Sequence, residues 1–300
     1  MKKVLLFLLF AFPSASCDLC GCANSNAFLG LMPASNRGFM GVRYRYQNFT
    51  SHVTSPVLKT EESFQTTELW GRFYPINKVQ VMAILPYAIH TQKQIAQQQS
   101  IQISGLADPT LFVHYSLVNT LLDSTLHEVN QSLLVGAGLK PALGKFRYEE
   151  SNPNQVANAN FQLGTGSTDW MLNALYNIRN AAWGINADAQ YRFPGENPDS
   201  YRFGARSSVA MTLFYAYGRG HKITLMPYVN TTLEYAARDS RAGLSIENTG
   251  GGIQWLGAGL EAYSKRFVFG LNFAKPAAQN LSNGELQAID RFSLHISYLF

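Results

Sequence analysis

Apolar and polar positions alternate with a period of two along much of the chain. Over Ala182–Phe193, Trp183, Ile185, Ala187, Ala189, Tyr191 and Phe193 share one parity, and Asn186, Asp188, Gln190 and Arg192 share the other. Over Phe39–Phe49, Met40, Val42, Tyr44 and Tyr46 oppose Arg43, Arg45 and Gln47. In Arg291–Phe300, Phe292, Leu294, Ile296, Tyr298 and Phe300 oppose Arg291, Ser293, His295 and Ser297. This is the pattern of a strand with one apolar and one polar face. Further segments, alternating or mostly apolar, are Phe64–Tyr74, Val79–His90, Pro109–Leu117, Glu128–Leu139, Asp169–Ile178, Tyr201–Tyr217, Lys222–Tyr235, Ile253–Tyr263 and Phe267–Ala274. Together they make about twelve strands, an even number as bacterial barrels require.

The connections carry a second signal. Pro75–Lys78, Arg179–Ala181, Gly218–Gly220 and Ser264–Arg266 are tight, whereas Thr50–Ser63, Thr91–Ala107, Gly144–Thr168 and Ala236–Gly252 are long and polar. Short and long alternate, as in a barrel with short periplasmic turns and long outer loops. The two departures are Val118–His127, longer than a tight turn, and Pro194–Ser200, shorter than the other outer loops. A β-sandwich has no such obligation. The predicted fold is all-β: a transmembrane antiparallel barrel spanning 38–300, in the outer membrane of a Gram-negative bacterium. Lipid cannot satisfy a charge, so the polar parity must face the lumen. The predicted lumen set is Arg43, Arg45, Glu68, Arg72, Asp188, Arg192, Arg202, Arg206, Glu234, Glu261 and His295. Its slight excess of arginine points to anions, unless the charges pair into a static plug of salt bridges. A closing strand that ends on aromatic Phe300 resembles the signal read by barrel-assembly machinery.

Composition agrees. Only 14% of residues are charged and 13% are aromatic, which suits a lipid-facing band with aromatic girdles. Residues 1–16 read as an export signal: Lys2 and Lys3, then apolar Val4–Phe12, then small Ser14 and Ser16. Losing Lys2 and Lys3 lowers the formal charge from +5 to +3, too mild to argue for nucleic acid.

Three stretches carry a family resemblance. Gly105-Leu-Ala-Asp-Pro109 leads into a strand reading TLFVHYSL; Phe161–Trp170 reads FQLGTGSTDW; Leu85-Pro-Tyr87 closes a strand before a long loop. From about Gly38 to Phe300 the chain resembles the outer-membrane barrel family associated with the meta pathway of phenol degradation, often described as transporters. The resemblance implies a barrel with passive transport and supplies no substrate. On its own chemistry, Gly164-Thr-Gly-Ser167 predicts a tight passage from outer loop to strand, with a ligand-contacting role as the alternative.

Residues 17–37 depart from that family. They hold Cys17, Cys20 and Cys22, all the cysteines of the chain. Three thiolates at this spacing can converge on a soft ion such as Cu(I) or Zn(II). A disulfide between Cys17 and Cys20, or lipid on Cys17, are the alternatives. Catalysis has little to stand on: His114 and Ser116 share a parity, as do Ser293 and His295, but no nucleophile elbow is present. The leading reading is passive transport of small solutes, with selectivity set by lumen charges. The other is a barrel-anchored protein that binds copper or docks a partner through the cysteines.

Overall fold

The computed structural model describes residues 37–120, 128–147, 158–218 and 222–300. The expected signal and the cysteine segment lie outside the described residues.

Among the described residues sixteen strands follow one another: β1 Phe39–Ser51, β2 Thr60–Ile76, β3 Val79–Gln94, β4 Gln99–Leu106, β5 Thr110–Asn119, β6 Val129–Lys140, β7 Asp169–Asn180, β8 Trp183–Phe193, β9 Tyr201–Arg202, β10 Arg206–Tyr215, β11 Ile223–Ala236, β12 Ser240–Arg241, β13 Leu244–Ser245, β14 Gly251–Ser264, β15 Phe267–Leu281 and β16 Leu286–Leu299. Twelve of them form an antiparallel ring, β1-β2-β3-β5-β6-β7-β8-β10-β11-β14-β15-β16, and β16 pairs back onto β1 from Phe39↔Leu299 to Ser51↔Leu286. Closure removes both sheet edges, so the wall leaves few backbone groups for lipid to satisfy. The twelve strands of the sequence analysis correspond to these twelve.

Burial alternates as the parity requires. Leu111, Val113, Tyr115 and Leu117 of β5 are exposed while Phe112 and His114 are buried. On β15, Phe267, Phe269, Leu271 and Phe273 point out and Val268, Gly270 and Asn272 point in. An apolar exterior continued around the whole wall exceeds any patch a soluble protein tolerates, and only lipid can cover it. Aromatic pairs edge this band: Trp183 with Tyr215 at 4.9 Å, Tyr191 with Phe193 at 4.6 Å, and Phe267 with Tyr298 at 5.4 Å between centroids.

The wall differs from expectation at the outer rim. Residues in the expected loop Thr91–Ala107 continue β3 to Gln94 and return as β4, paired from Tyr87↔Leu106 to Gln94↔Gln99. The outward residues there, Lys93, Ser100, Gln102 and Ser104, are polar, so the wall rising above the lipid loses the apolar outer face that marks a membrane strand, while Ile101 and Ile103 point inward. β15 and β16 likewise extend to Leu281 and from Leu286.

The expected strand Tyr201–Tyr217 is broken. Asp239 draws the segment aside: its carboxylate accepts from Tyr201 Oη at 2.7 Å and from Gly204 N at 2.6 Å. A Cβ at Gly204 would sit 1.9 Å from the Ala237 carbonyl oxygen, so only glycine makes this approach. Tyr201–Arg202 becomes β9 and joins β12 and β13 in a small sheet of the outer loops.

Candidate functional site: the barrel lumen

The outer mouth is shaped by two of the three stretches that carry the resemblance, Gly105–Pro109 and Phe161–Trp170. Lys140, at the end of β6, is 1% exposed. Its ammonium donates to Asp108 Oδ2 at 2.7 Å, Thr165 Oγ1 at 2.6 Å and the Ser167 carbonyl at 3.1 Å, and lies 3.2 Å from Asp169 Oδ2. Asp108 Oδ1 accepts from Leu143 N and Gly144 N, and its Oδ2 from Thr165 N. One buried cation therefore ties the strand-opening aspartates of β5 and β7 to the GTGS turn, where Gly166 has φ +69. Separate in sequence, these motifs form one knot.

From the knot, residues 158–167 turn into the bore. Asn158 Nδ2 reaches both carboxylate oxygens of Glu62 on β2, at 2.9 and 3.0 Å. Phe161, fully buried, packs at 6.2 Å from Phe64 and 6.3 Å from His90. Leu163 packs with Ala88 and Ala107. Asn160 Oδ1 lies 3.5 Å from Arg206 Nη2 on β10. The loop thus reaches from its base on β6 and β7 to walls β2, β3 and β10. The expected tight passage is present, and the segment before it fills the mouth.

Below lies a belt of ion pairs. Arg43 donates from Nε to Glu68 Oε2 at 2.6 Å, and Arg45 Nη2 lies 2.8 Å from Glu68 Oε1. The Arg43 guanidinium stacks on Trp70 at 4.7 Å. On another part of the wall, Arg291 grips Glu234 with both terminal nitrogens, at 2.8 and 3.2 Å, and stacks on Trp255 at 4.3 Å. Trp255 Nε1 donates to the same carboxylate. Glu261 accepts from Tyr263 and lies 3.8 Å from His295 Nε2. Arg72 donates to the Arg37 carbonyl and sits over Phe39 and Tyr74.

A hydrogen-bonded chain runs around the opposite side: Tyr74 Oη to Gln80 at 2.9 Å, Gln80 to His114 at 3.2 Å, His114 to Asn173 at 2.7 Å, Asn173 to Asp188 Oδ1 at 2.8 Å. It skips β6 because Gly136 has no side chain: a Cβ there would meet His114 Cδ2 at 2.7 Å. This places His114 between Gln80 and Asn173; Ser116, its partner in parity, donates instead to the Val118 carbonyl.

Of the predicted lumen set, Arg43, Glu68, Arg72, Asp188, Arg192, Arg206, Glu234 and Glu261 are buried inside the barrel, and Arg45 and His295 are nearly so. Arg202 is the exception. It is exposed on β9, its Nε donating to the Pro194 carbonyl, because Asp239 pulls its segment off the wall. Its loss narrows the expected excess of arginine, and inward residues outside the predicted set close it. Among the described residues the inward Arg43, Arg45, Arg72, Lys140, Arg192, Arg206 and Arg291 are matched in number by Glu62, Glu68, Asp108, Asp169, Asp188, Glu234 and Glu261.

Sequence reasoning passed over Arg291, Lys140 and Glu62, and the inward aromatics. Parity held the clue: Trp70 lies between Glu68 and Arg72 on the polar side of β2, and Trp255 is in step with Glu261 on β14. With Glu68 at 0% and Glu234 at 6% exposure, the interior is packed with side chains rather than lined around open water.

No protein-family model matches the chain, and no curated protein matches its sequence. Solved structures do match. An outer membrane channel from Pseudomonas putida F1 superimposes with a TM-score of 0.66 at 12% identity, over 88% of this chain and 96% of that one. The β domain of the Bordetella autotransporter BrkA gives 0.53 at 10% identity, over 88% and 100%. The transport unit of the autotransporter AIDA-I from Escherichia coli gives 0.50 at 9%, over 93% and 95%. At such identities the likeness establishes the fold. With the closed wall and its apolar exterior, it makes this protein a β-barrel of the bacterial outer membrane.

Proposed function

We propose that the barrel is a channel for passive passage of small solutes, with selectivity set by the position of charges inside it. The observation that carries the reading is the belt itself. Arginine–carboxylate pairs at Arg43, Arg45 and Glu68 and at Arg291 and Glu234 occupy the lumen of a closed wall. Charge at membrane depth is expensive, and its usual use is to select what crosses. The resemblance of the Gly105–Pro109 and Phe161–Trp170 stretches to transporter-like barrels supports the same reading, without naming a solute. So does His114, held between Gln80 and Asn173 in a structural role, which favours a non-enzyme. The packed interior and inward loop describe a resting state of low conductance, so passage requires residues 158–167 to move.

The test is single-channel recording of the folded protein in planar bilayers. Discrete steps whose ion preference changes when Arg43 or Glu68 is neutralised support a selective channel. A correctly folded barrel that stays silent in every salt, and remains silent when the outer loop is shortened, rejects it.

The second reading rests on the spacing of Cys17, Cys20 and Cys22 alone. In it the barrel anchors a segment that takes up a soft ion, Cu(I) or Zn(II), or docks a partner. Stoichiometric uptake that disappears in Cys20→Ser and Cys22→Ser supports it; undiminished uptake sinks it.

A further inference from the structure

We propose that the outer ends of β8 and β10 form a carboxylate-binding station headed by Arg206; the proposal deepens the channel reading and rests on it. Arg206 and Arg192 are direct register partners across the two strands, and both are buried, at 7% and 2% exposure. Like charges facing each other across a strand pair repel. Burial removes the water that would screen them. Elsewhere in the lumen the sequence resolves this problem with acids: Arg43 and Arg45 share Glu68, and Arg291 takes Glu234.

At Arg206 no such acid is supplied among the described residues. Its Nη2 meets Asn160 Oδ1 at 3.5 Å, the limit of a hydrogen bond, and its guanidinium lies 5.9 Å from the Phe203 ring. Nε and Nη1 are buried without a hydrogen-bond partner. The neighbouring carboxylates are engaged. Glu234, opposite Ser208, is held by Arg291; Asp188 accepts from Asn173; Asp239 accepts from Tyr201 and Gly204. Arg192 has contacts of its own and contributes its charge; the unmet donors are those of Arg206.

Buried cationic donors left unmet are costly, and the group that satisfies a guanidinium fork is a planar oxyanion bonded side-on. The station lies beneath Asn160 of the inward loop, with Gln190 and Ser208 at the next inward positions. A carboxylate arriving from outside would meet Arg206 first, and its binding competes with the weak contact to Asn160. Selectivity for anions then arises from one local site in an interior whose charges balance.

The probe is succinate, titrated calorimetrically into the folded full barrel in detergent, with conductance in potassium chloride measured on the same preparations. Saturable binding is expected. It should weaken about ten-fold or more in both Arg206→Ala and Arg206→Lys, because an ammonium cannot reproduce the fork. Arg202→Ala, which removes an equal charge from the loops outside the lumen, should bind as the parent does. Arg206→Lys keeps the charge, so it reports even where Arg206→Ala fails to fold. Absence of succinate binding by the parent, equal binding by Arg206→Lys, or equal losses in Arg202→Ala and Arg206→Lys overturns the station. A barrel that conducts but does not bind succinate leaves the channel reading standing. One that binds through Arg206 and never conducts overturns the channel reading alone.

Discussion

A single ammonium group decides how the outer mouth is held. Lys140 satisfies Asp108, Asp169, the Thr165 hydroxyl and the Ser167 carbonyl at once. Lys140→Met keeps most of the side-chain volume and leaves two buried carboxylates without their cation. Breaking one side of a buried ion pair typically costs about 3–5 kcal/mol. The variant should unfold at lower urea, and its conductance should rise because the base of the inward loop is released. Unchanged stability and unchanged conductance would show the knot to be incidental. Glu68 poses the converse case. Glu68→Gln leaves Arg43 and Arg45 unneutralised in the bore, so the reversal potential in a potassium chloride gradient should move toward anions. Movement toward cations, or none, counts against selectivity by position of charge. Parity alone marks Glu68 as an inward charge, whereas Lys140 is recognised only through its contacts. What the sequence withheld was partnership: Lys140 and Asp108 are far apart in the chain, and nothing in a period-two pattern says which aspartate meets which lysine.

At the level of strands, glycines on the inward face let aromatic rings lie flat across a neighbour. A Cβ at Gly270 would sit 2.0 Å from His295 Cε1, one at Gly184 would sit 2.1 Å from the Phe214 ring, and one at Gly136 would strike His114. Gly136→Val also meets the Val113 carbonyl oxygen at 2.3 Å, so it should displace that strand and the His114 ring together and cost about 1–3 kcal/mol, the usual range for overpacking. Urea titration of the folded barrel in lipid reads it out; a neutral result would mean that strand and ring both relocate freely. The membrane-crossing strands were legible because lipid outside and polar groups inside impose strict alternation. The rim was not. Above the bilayer the outer face of β3 and β4 meets water, so polar residues point out and Ile101 and Ile103 point in, and Thr91–Ala107 reads as a polar loop although it is largely strand. Arg202 was misplaced for a related reason. It follows the parity of Arg206, but a tertiary contact, Asp239 on Tyr201 and Gly204, breaks the strand between them. Pattern alone cannot see a break imposed by a residue so far along the chain.

On the scale of the whole molecule, the wall and its contents answer different demands. The wall is fixed by backbone pairing around the full ring, while the outer closure depends on a few side-chain contacts of one loop. Removing residues 158–163 deletes Asn158, Phe161 and Leu163 but leaves the Thr165 and Ser167 contacts to Lys140. Because no ladder hydrogen bond of the ring is lost, the shortened protein should still fold to a heat-modifiable barrel. Its interior should lose the apolar contacts of Phe161 with Phe64 and His90 and the tether of Asn158 to Glu62, and water should enter from the outer side. Conductance should then rise several-fold over the parent, while the ion preference set by the Arg43–Glu68 and Arg291–Glu234 pairs is retained. If the shortened barrel folds and its conductance is unchanged, the inward loop is not the closure, and the packed belt below it must be the barrier. Glu68→Gln in the shortened background separates these cases, since a belt-limited bore should change conductance as well as preference when that pair is broken.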